Sequence, residues 1–277
     1  MERKERRDKA VKLYLEGNKS INQISKELKS SWETIKKDLL EAGIEIKNKR
    51  NHSENINGVS PELFKEINDK DSAYWLGFLY ADGNIRKNGN EITLDLQQKD
   101  KEAVEEFHKY CKNQNSIREH RIYRGGKTYI SYVSGFSNKN IKLNLIKLGC
   151  VPNKSLTLTF PNEHQVPDCY IYDFIRGYID GDGYIQYDFD KHRYRIVITS
   201  TKEFLLGMVK RLGMKEYYYL NQDNKSKIWN LTISNKENVF LFLEKLYENS
   251  KYHLKRKFDI YNMAKRAYSE QSLYESH

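Results

Sequence analysis

Two aspartates, Asp82 and Asp182, lie 100 residues apart, and each is followed by glycine at the end of an apolar run. Residues 74–83 read YWLGFLYADG and residues 174–183 read FIRGYIDGDG. The end of an apolar helix is a poor place for a carboxylate, because the helix C-terminus already carries partial negative charge. Two such carboxylates packed together are costly unless a cation offsets them. Oxygen donors of this kind suit hard divalent cations, and on a basic chain they point to chemistry at phosphate. Phosphodiester hydrolysis needs an activated water, a counter-charge for the transition state and help for the leaving oxygen, all of which metal held by paired carboxylates supplies.

The residues before the acids say how they meet. Gly77 and Ala81 precede the first, Gly177 and Gly181 the second, each pair at i and i+4. Small residues so placed share one helix face and let two backbones approach closely. The spacing predicts two helices packed face to face, with their carboxylates together at one end. Gly83 and Gly183 are expected in the left-handed conformation that ends a helix, and Asp71 or Ser72 as the cap that starts the first. Downstream of each acid the same order recurs. The first copy continues with a polar turn at 87–90, a strand at 91–98, a helix at 99–111, strands near 117–123 and 128–136, and a helix at 137–149. The second continues with strands at 184–189 and 193–200, a helix at 202–213, strands near 216–221 and 227–234, and a helix from 234. Ser-Asn-Lys opens the closing helix of both, at 137–139 and 234–236. Self-similarity on this scale is a duplication. It predicts an α+β protein in which two αββαββα units, 61–151 and 169–268, form a pseudo-twofold saddle of two antiparallel sheets. Residues 152–168 join the units and 269–277 form a tail.

Two such motifs in one chain resemble the monomeric, two-motif LAGLIDADG homing endonucleases, over residues 70–266. The second acid of the name motif is present in both copies. Tyr80 stands where the first would be, while Asp180 keeps it and is read either as structural or as supporting the catalytic residues from behind. The resemblance implies site-specific cleavage of double-stranded DNA by a monomer, with magnesium held by Asp82 and Asp182. It also implies a basic residue before each closing helix, here Lys139 and Lys236, and a polar water-organising residue at Gln98, whose counterpart falls near Ser200. Two other activities share the scaffold: a non-cleaving DNA-binding transcriptional regulator and an RNA-splicing maturase. Retention of both acids favours cleavage over regulation.

Composition agrees. Lys and Arg number 48 against 38 Asp and Glu, a net charge of +10 that favours a polyanionic partner. Cys111, Cys150 and Cys169 lack CxxC spacing, which argues against a zinc site or a disulfide framework. His108, His120, His164 and His192 show no metal-ligand spacing. No apolar run approaches the roughly 18 residues of a membrane span, and the charged N-terminus lacks a signal-peptide core. A soluble intracellular protein, cytoplasmic or nucleoid-associated, is expected, with no membrane partner.

Residues 1–45 form a separate block of three predicted helices. The first covers about 4–16, the second is capped by Ser20 with Gln23 completing a capping box, and the third follows Ser30. Ile21, Ile24, Leu28, Trp32, Ile35, Leu39 and Leu40 are expected inward, and Thr34, Lys36 and Lys37 outward. The last two helices resemble a helix-turn-helix, which implies a second DNA contact. A polar linker spans 46–60, with Lys47, Lys49 and Arg50 placed to follow a phosphate backbone, and Ser60-Pro61 reads as a helix start. In the repeats, strand alternation turns Ile92, Leu94, Leu96, Tyr194, Ile196, Ile198, Trp229, Leu231 and Ile233 toward the helices. It leaves Thr93, Gln97, Arg193, Arg195, Asn230 and Thr232 on polar faces that suit a major groove. Glu91 and Asp95 share the first of those faces, where phosphate would oppose them.

Overall fold

A computed structural model describes residues 3–15, 19–44, 46, 57–188, 193–214, 218–223 and 227–275. Lys47, Lys49, Arg50 and His192 lie outside the described residues. Contacts divide the chain into two units, Met1–His52 and Ser53–His277.

In the first unit, α1 (Arg3–Leu15), α2 (Ile21–Glu27) and α3 (Trp32–Glu41) enclose a small core of Ala10, Ile21, Ile24, Ile35 and Leu39. Ser20 and Gln23 form the capping box. The start of α3 differs from expectation. Ser31, not Ser30, is its cap, accepting from the Thr34 N–H, and Trp32 and Leu40 face solvent rather than the core. The inward stripe is Ile35, Asp38 and Leu39. Asp38 holds a place in it because Arg6 of α1 donates to its carboxylate at 2.7 Å, which satisfies the buried charge. The Trp32 ring instead lies 5.0 Å from the Lys36 ammonium.

The second unit starts with turns, not the helix expected from Ser60-Pro61. Phe64 sits among them at φ 57°. That backbone costs a bulky residue about 1–2 kcal/mol, offset by burial of the ring. Val59 is also buried, so the end of the polar linker belongs to the core. Asp69 caps α4 (Lys70–Ala81) by accepting from the Ser72 N–H at 2.7 Å, ahead of the caps expected at Asp71 or Ser72. The chain continues through β1 (Gly83–Ile85), β2 (Glu91–Gln97), α5 (Lys101–Tyr110), β3 (Arg118–Arg124), β4 (Lys127–Ser137) and α6 (Lys139–Lys147). Then follow α7 (Ile171–Asp182), β5 (Gly183–Asp188), β6 (Arg193–Ser200), α8 (Lys202–Leu212), β7 (Tyr219–Gln222), β8 (Trp229–Ile233), α9 (Lys236–Tyr247) and α10 (Lys255–Glu275).

The duplication holds at the level of strand register. Two antiparallel sheets have the orders β1-β2-β4-β3 and β5-β6-β8-β7. Gly83 pairs with Leu94 and Gly183 with Ile198, which makes Leu94 and Ile198 equivalent positions. By the same register Ser200 matches Leu96, and the counterpart of Gln98 is Lys202, a correction to the pairing expected from sequence. Ile92, Leu94, Leu96, Tyr194, Ile196, Ile198, Leu231 and Ile233 are all buried. Helix α5 covers the apolar face of the first sheet, and α8 and α9 that of the second.

At the centre, α4 and α7 meet backbone to backbone. A methyl group built on Gly77 would run into the Phe174 carbonyl oxygen, and one on Gly177 into the Tyr74 carbonyl oxygen. One on Gly181 would strike Ala81. The closing glycines are needed for a different reason from the one expected. Neither Gly83 nor Gly183 has a positive φ; each opens a strand directly after its helix. A methyl group there would lie 2.5 Å from the Leu79 carbonyl oxygen or 2.6 Å from that of Ile179. Space, not handedness, selects glycine.

A test separates these two uses of glycine. Gly77→Ala is expected to lose more than about 3 kcal/mol, because rigid backbone lies in the way. Gly125→Ala, at φ 58° in open space, is expected to lose about 1 kcal/mol. Denaturant midpoints of the two variants measure the difference.

Candidate active site

Helix packing delivers both acids to one place. Asp82 caps the C-terminus of α4, and Asp182 is the last residue of α7. A methyl group on Gly181 would lie 2.9 Å from Asp82 Oδ2, so the first carboxylate rests against the backbone of the opposite helix. Asp82 is half-buried and Asp182 is the more exposed. The Asp82 carboxyl is pushed up to about 6, by burial first and then by the charge of Asp182, while Lys257 and Lys154 pull the other way. Asp182 is raised too, by burial, and is opposed by Lys154 and Lys257.

The lysines at the acids are not those expected from sequence. Lys154 Nζ donates to the Gly83 carbonyl. Lys257 Nζ donates to the carbonyls of Ile179, Asp180 (2.8 Å) and Gly183 (2.6 Å). The two are counterparts: each bonds the carbonyl of the glycine that opens a strand, and Lys257 also bonds the last turn of α7, where a cation complements the helix dipole. Burial pulls the Lys257 ammonium down to about 8, against the pull of Asp180. Lys139 and Lys236, by contrast, open α6 and α9 with exposed side chains. Among the described residues, Lys154 and Lys257 are the cations whose charge lowers both acids most. Self-similarity does not reveal them, because Lys154 lies in a short 3-10 turn and Lys257 in the long α10.

The unlike residues at the name motif's first acid now have one explanation. Asp180 is buried and accepts from Tyr74 Oη (2.9 Å), Tyr247 Oη (2.7 Å) and the Leu254 N–H (2.9 Å). Leu254 begins the turn into α10, which carries Lys257. Tyr80, also buried, donates to the Leu148 carbonyl at 2.5 Å, just before the segment that carries Lys154. An acceptor in one copy and a donor in the other thus fix the connection that brings each lysine back. Asp180 is thus engaged in three hydrogen bonds within the fold.

Gln98 opens an exposed 3-10 turn, Gln98–Asp100. Among the described residues, no group of three or more His, Cys, Asp or Glu could hold a metal ion.

The polar strand faces lie where alternation put them. Thr93 and Gln97 stand opposite Gly135 and Ser131, and Asn230 and Thr232 opposite Thr199 and Val197. Arg193 and Arg195 are exposed. Arg195 donates to Gln186 Oε1 at 3.0 Å, and the Thr199 hydroxyl to Asn230 Oδ1 at 2.8 Å. The acids of the first face are covered by bases that the sequence reading missed. Glu91 lies 3.0 Å from Arg86 and 3.6 Å from Arg118, and Asp95 lies 3.7 Å from His120. In the N-terminal unit, Lys36 and Lys37 are exposed on α3, and the Thr34 hydroxyl bonds that of Ser31 at 2.9 Å.

The acid pair makes stability depend on pH. The folded protein holds the Asp82 proton up to about 6, above its ordinary 3.8. Between these values the folded state binds more protons than the unfolded, so stability falls as pH rises and is flat above. In metal-free buffer, Asp82→Asn is therefore expected to raise the melting temperature by about 2–4 °C at pH 7.5 and by nothing near pH 4. Thermal melts across that range with a chelator present check it.

A LAGLIDADG-like domain model matches residues 170–247, which span the second repeat from α7 through α9. The replication factor C small subunit of Methanocaldococcus jannaschii is 27% identical over 212 residues, covering 72% of this chain and 10% of that protein. The chain thus spans about a tenth of the length of that relative. The homing endonuclease I-WcaI bound to its DNA recognition sequence gives a TM-score of 0.53 at 16% identity, over 80% of this chain and 97% of that one. I-SmaMI bound to an uncleaved DNA target in the presence of calcium ions gives 0.46 at 13% identity, over 73% and 92%. The chain carries a LAGLIDADG-like domain, and its duplicated core has the fold of the LAGLIDADG homing endonucleases.

Proposed function

We propose that this protein is a monomeric, site-specific endonuclease of double-stranded DNA. The observation that carries the reading is the juxtaposition of Asp82 and Asp182, held together at an energetic cost and flanked by Lys154 and Lys257. Two carboxylates that disfavour each other's charge are a donor set matched to a hard divalent cation. Asp82 and Asp182 would hold magnesium, which when bound supplies a Lewis acid and an activated water at phosphate. Lys154 and Lys257 anchor the carbonyls beside the acids and so fix both carboxylates, and their charge opposes the negative charge that gathers during cleavage. This role replaces the one expected of Lys139 and Lys236. The polar strand faces, with Arg193 and Arg195 on the second, would enter the major groove on either side of the acids. The N-terminal helices, with Lys36 and Lys37 outward, would add a contact of the helix-turn-helix kind.

A regulator on this scaffold has no use for the acid pair, and the pair weakens the fold, which supports cleavage. The test is selection of cut sites from a randomised duplex library with magnesium, followed by plasmid cleavage. Asp82→Asn and Asp182→Asn are each expected to slow cutting by about 10³-fold or more, while Lys236→Ala stays near the parent. If both Asn variants cut like the parent, the assignment is wrong. Tighter binding to structured RNA than to any selected duplex, without cutting, would mean a maturase.

A further inference from the structure

Among the described residues, the first sheet reaches further than the second. The last pair between β2 and β4 is Gln97 with Ser131, so β3 and β4 continue alone as a two-stranded ribbon through residues 121–130. Four residues of β4 overhang, about 13 Å at the usual rise. In the second sheet all of β8 pairs with β6. Beyond it, among the described residues, only the Asp223 N–H to Ile228 carbonyl bond of 2.9 Å continues the hairpin.

The ribbon carries an unusual side-chain set on the face it shares with Thr93 and Gln97. Ile122 stands directly opposite Tyr129, and Arg124 directly opposite Lys127. Ile122 is 61% exposed and Tyr129 55%. They line a cleft of about 490 Å³ together with Gln97 and Gln98. An exposed apolar pair inside a polar face marks a contact. The charge at the end of the ribbon is positive, from Arg124 and Lys127, and Glu91 at the other end of the face is paired with Arg86 and Arg118. A polyanion with an apolar feature is what this face complements. In the major groove of duplex DNA, thymine alone presents a methyl group, and a glutamine amide matches the adenine edge of the same pair.

Resting on the proposed function, we infer that the ribbon reads a T·A pair at the outer edge of one half-site. Ile122 and Tyr129 cover the thymine methyl, Gln97 faces the adenine, and Arg124 and Lys127 hold flanking phosphates. Among the described residues only the first sheet carries such a ribbon, which places this contact at one end of the footprint.

Deoxyuridine removes the methyl and keeps every hydrogen-bonding group of thymine, which makes the test specific. Binding of the full-length protein to its selected duplex is measured by anisotropy in calcium, with thymines replaced one at a time. At one outer position the replacement is expected to weaken binding roughly 4-fold, the scale of burying a single methyl group. Ile122→Ala should bind the two duplexes equally, while Tyr123→Ala, on the opposite face of the same strand, should keep the parent's preference. No methyl-sensitive outer thymine, or an Ile122→Ala variant as sensitive as the parent, overturns the inference. Failure to enrich any duplex in the selection overturns the endonuclease reading itself, and this inference with it.

Discussion

The close approach of α4 and α7 is the constraint on which the rest of the molecule depends. Gly77 and Gly177 each give way to a carbonyl oxygen of the other helix, so neither tolerates a side chain. That reciprocity sets the pseudo-twofold relation between repeats and brings the two helix ends together. Gly83 and Gly183 then send the chain straight from helix into strand, and a sheet hangs from each helix end. Asp82 and Asp182 occupy those corners, where their placement is a product of packing and not of any attraction between them.

Such a placement is electrostatically poor, and the surrounding residues compensate for only part of it. Helix C-termini repel carboxylates, and burial raises both acids. Lys154 and Lys257 approach from outside the motif helices and bond the carbonyls beside the acids. Their approach is secured by Tyr80 in one copy and Asp180 in the other, through opposite hydrogen-bond roles at the same position. Burial still outweighs the two lysines and holds both acids above their ordinary range, a cost that a bound cation would offset.

Much of this was legible in the sequence, and the failures have physical causes. Periodicity and small-residue spacing gave the helix pair, the duplicated strand order and the inward residues of β2, β6 and β8, because each is a local pattern read against one packing surface. Lys154 and Lys257 escape such a reading because similarity between the copies ends after α6 and α9, where tertiary contact alone returns them to the acids. Turn chemistry misled twice: Gly83 and Gly183 answer a steric demand, and Ser60-Pro61 leads into turns that a buried Phe64 holds. In α3, an ion pair with Arg6 draws Asp38 into the core stripe, while Trp32 and Leu40, expected inward, face solvent. None of these pairings is visible along the chain.

That the two acids act together on one cation is open to direct observation. Crystals of the protein with its selected duplex, grown in manganese, would be measured at the manganese absorption edge. The expected result is anomalous density in contact with both Asp82 and Asp182, lost in the Asp82→Asn, Asp182→Asn double variant. Manganese bound elsewhere on the complex, with neither carboxylate in contact, would contradict the assignment of these acids as the metal site.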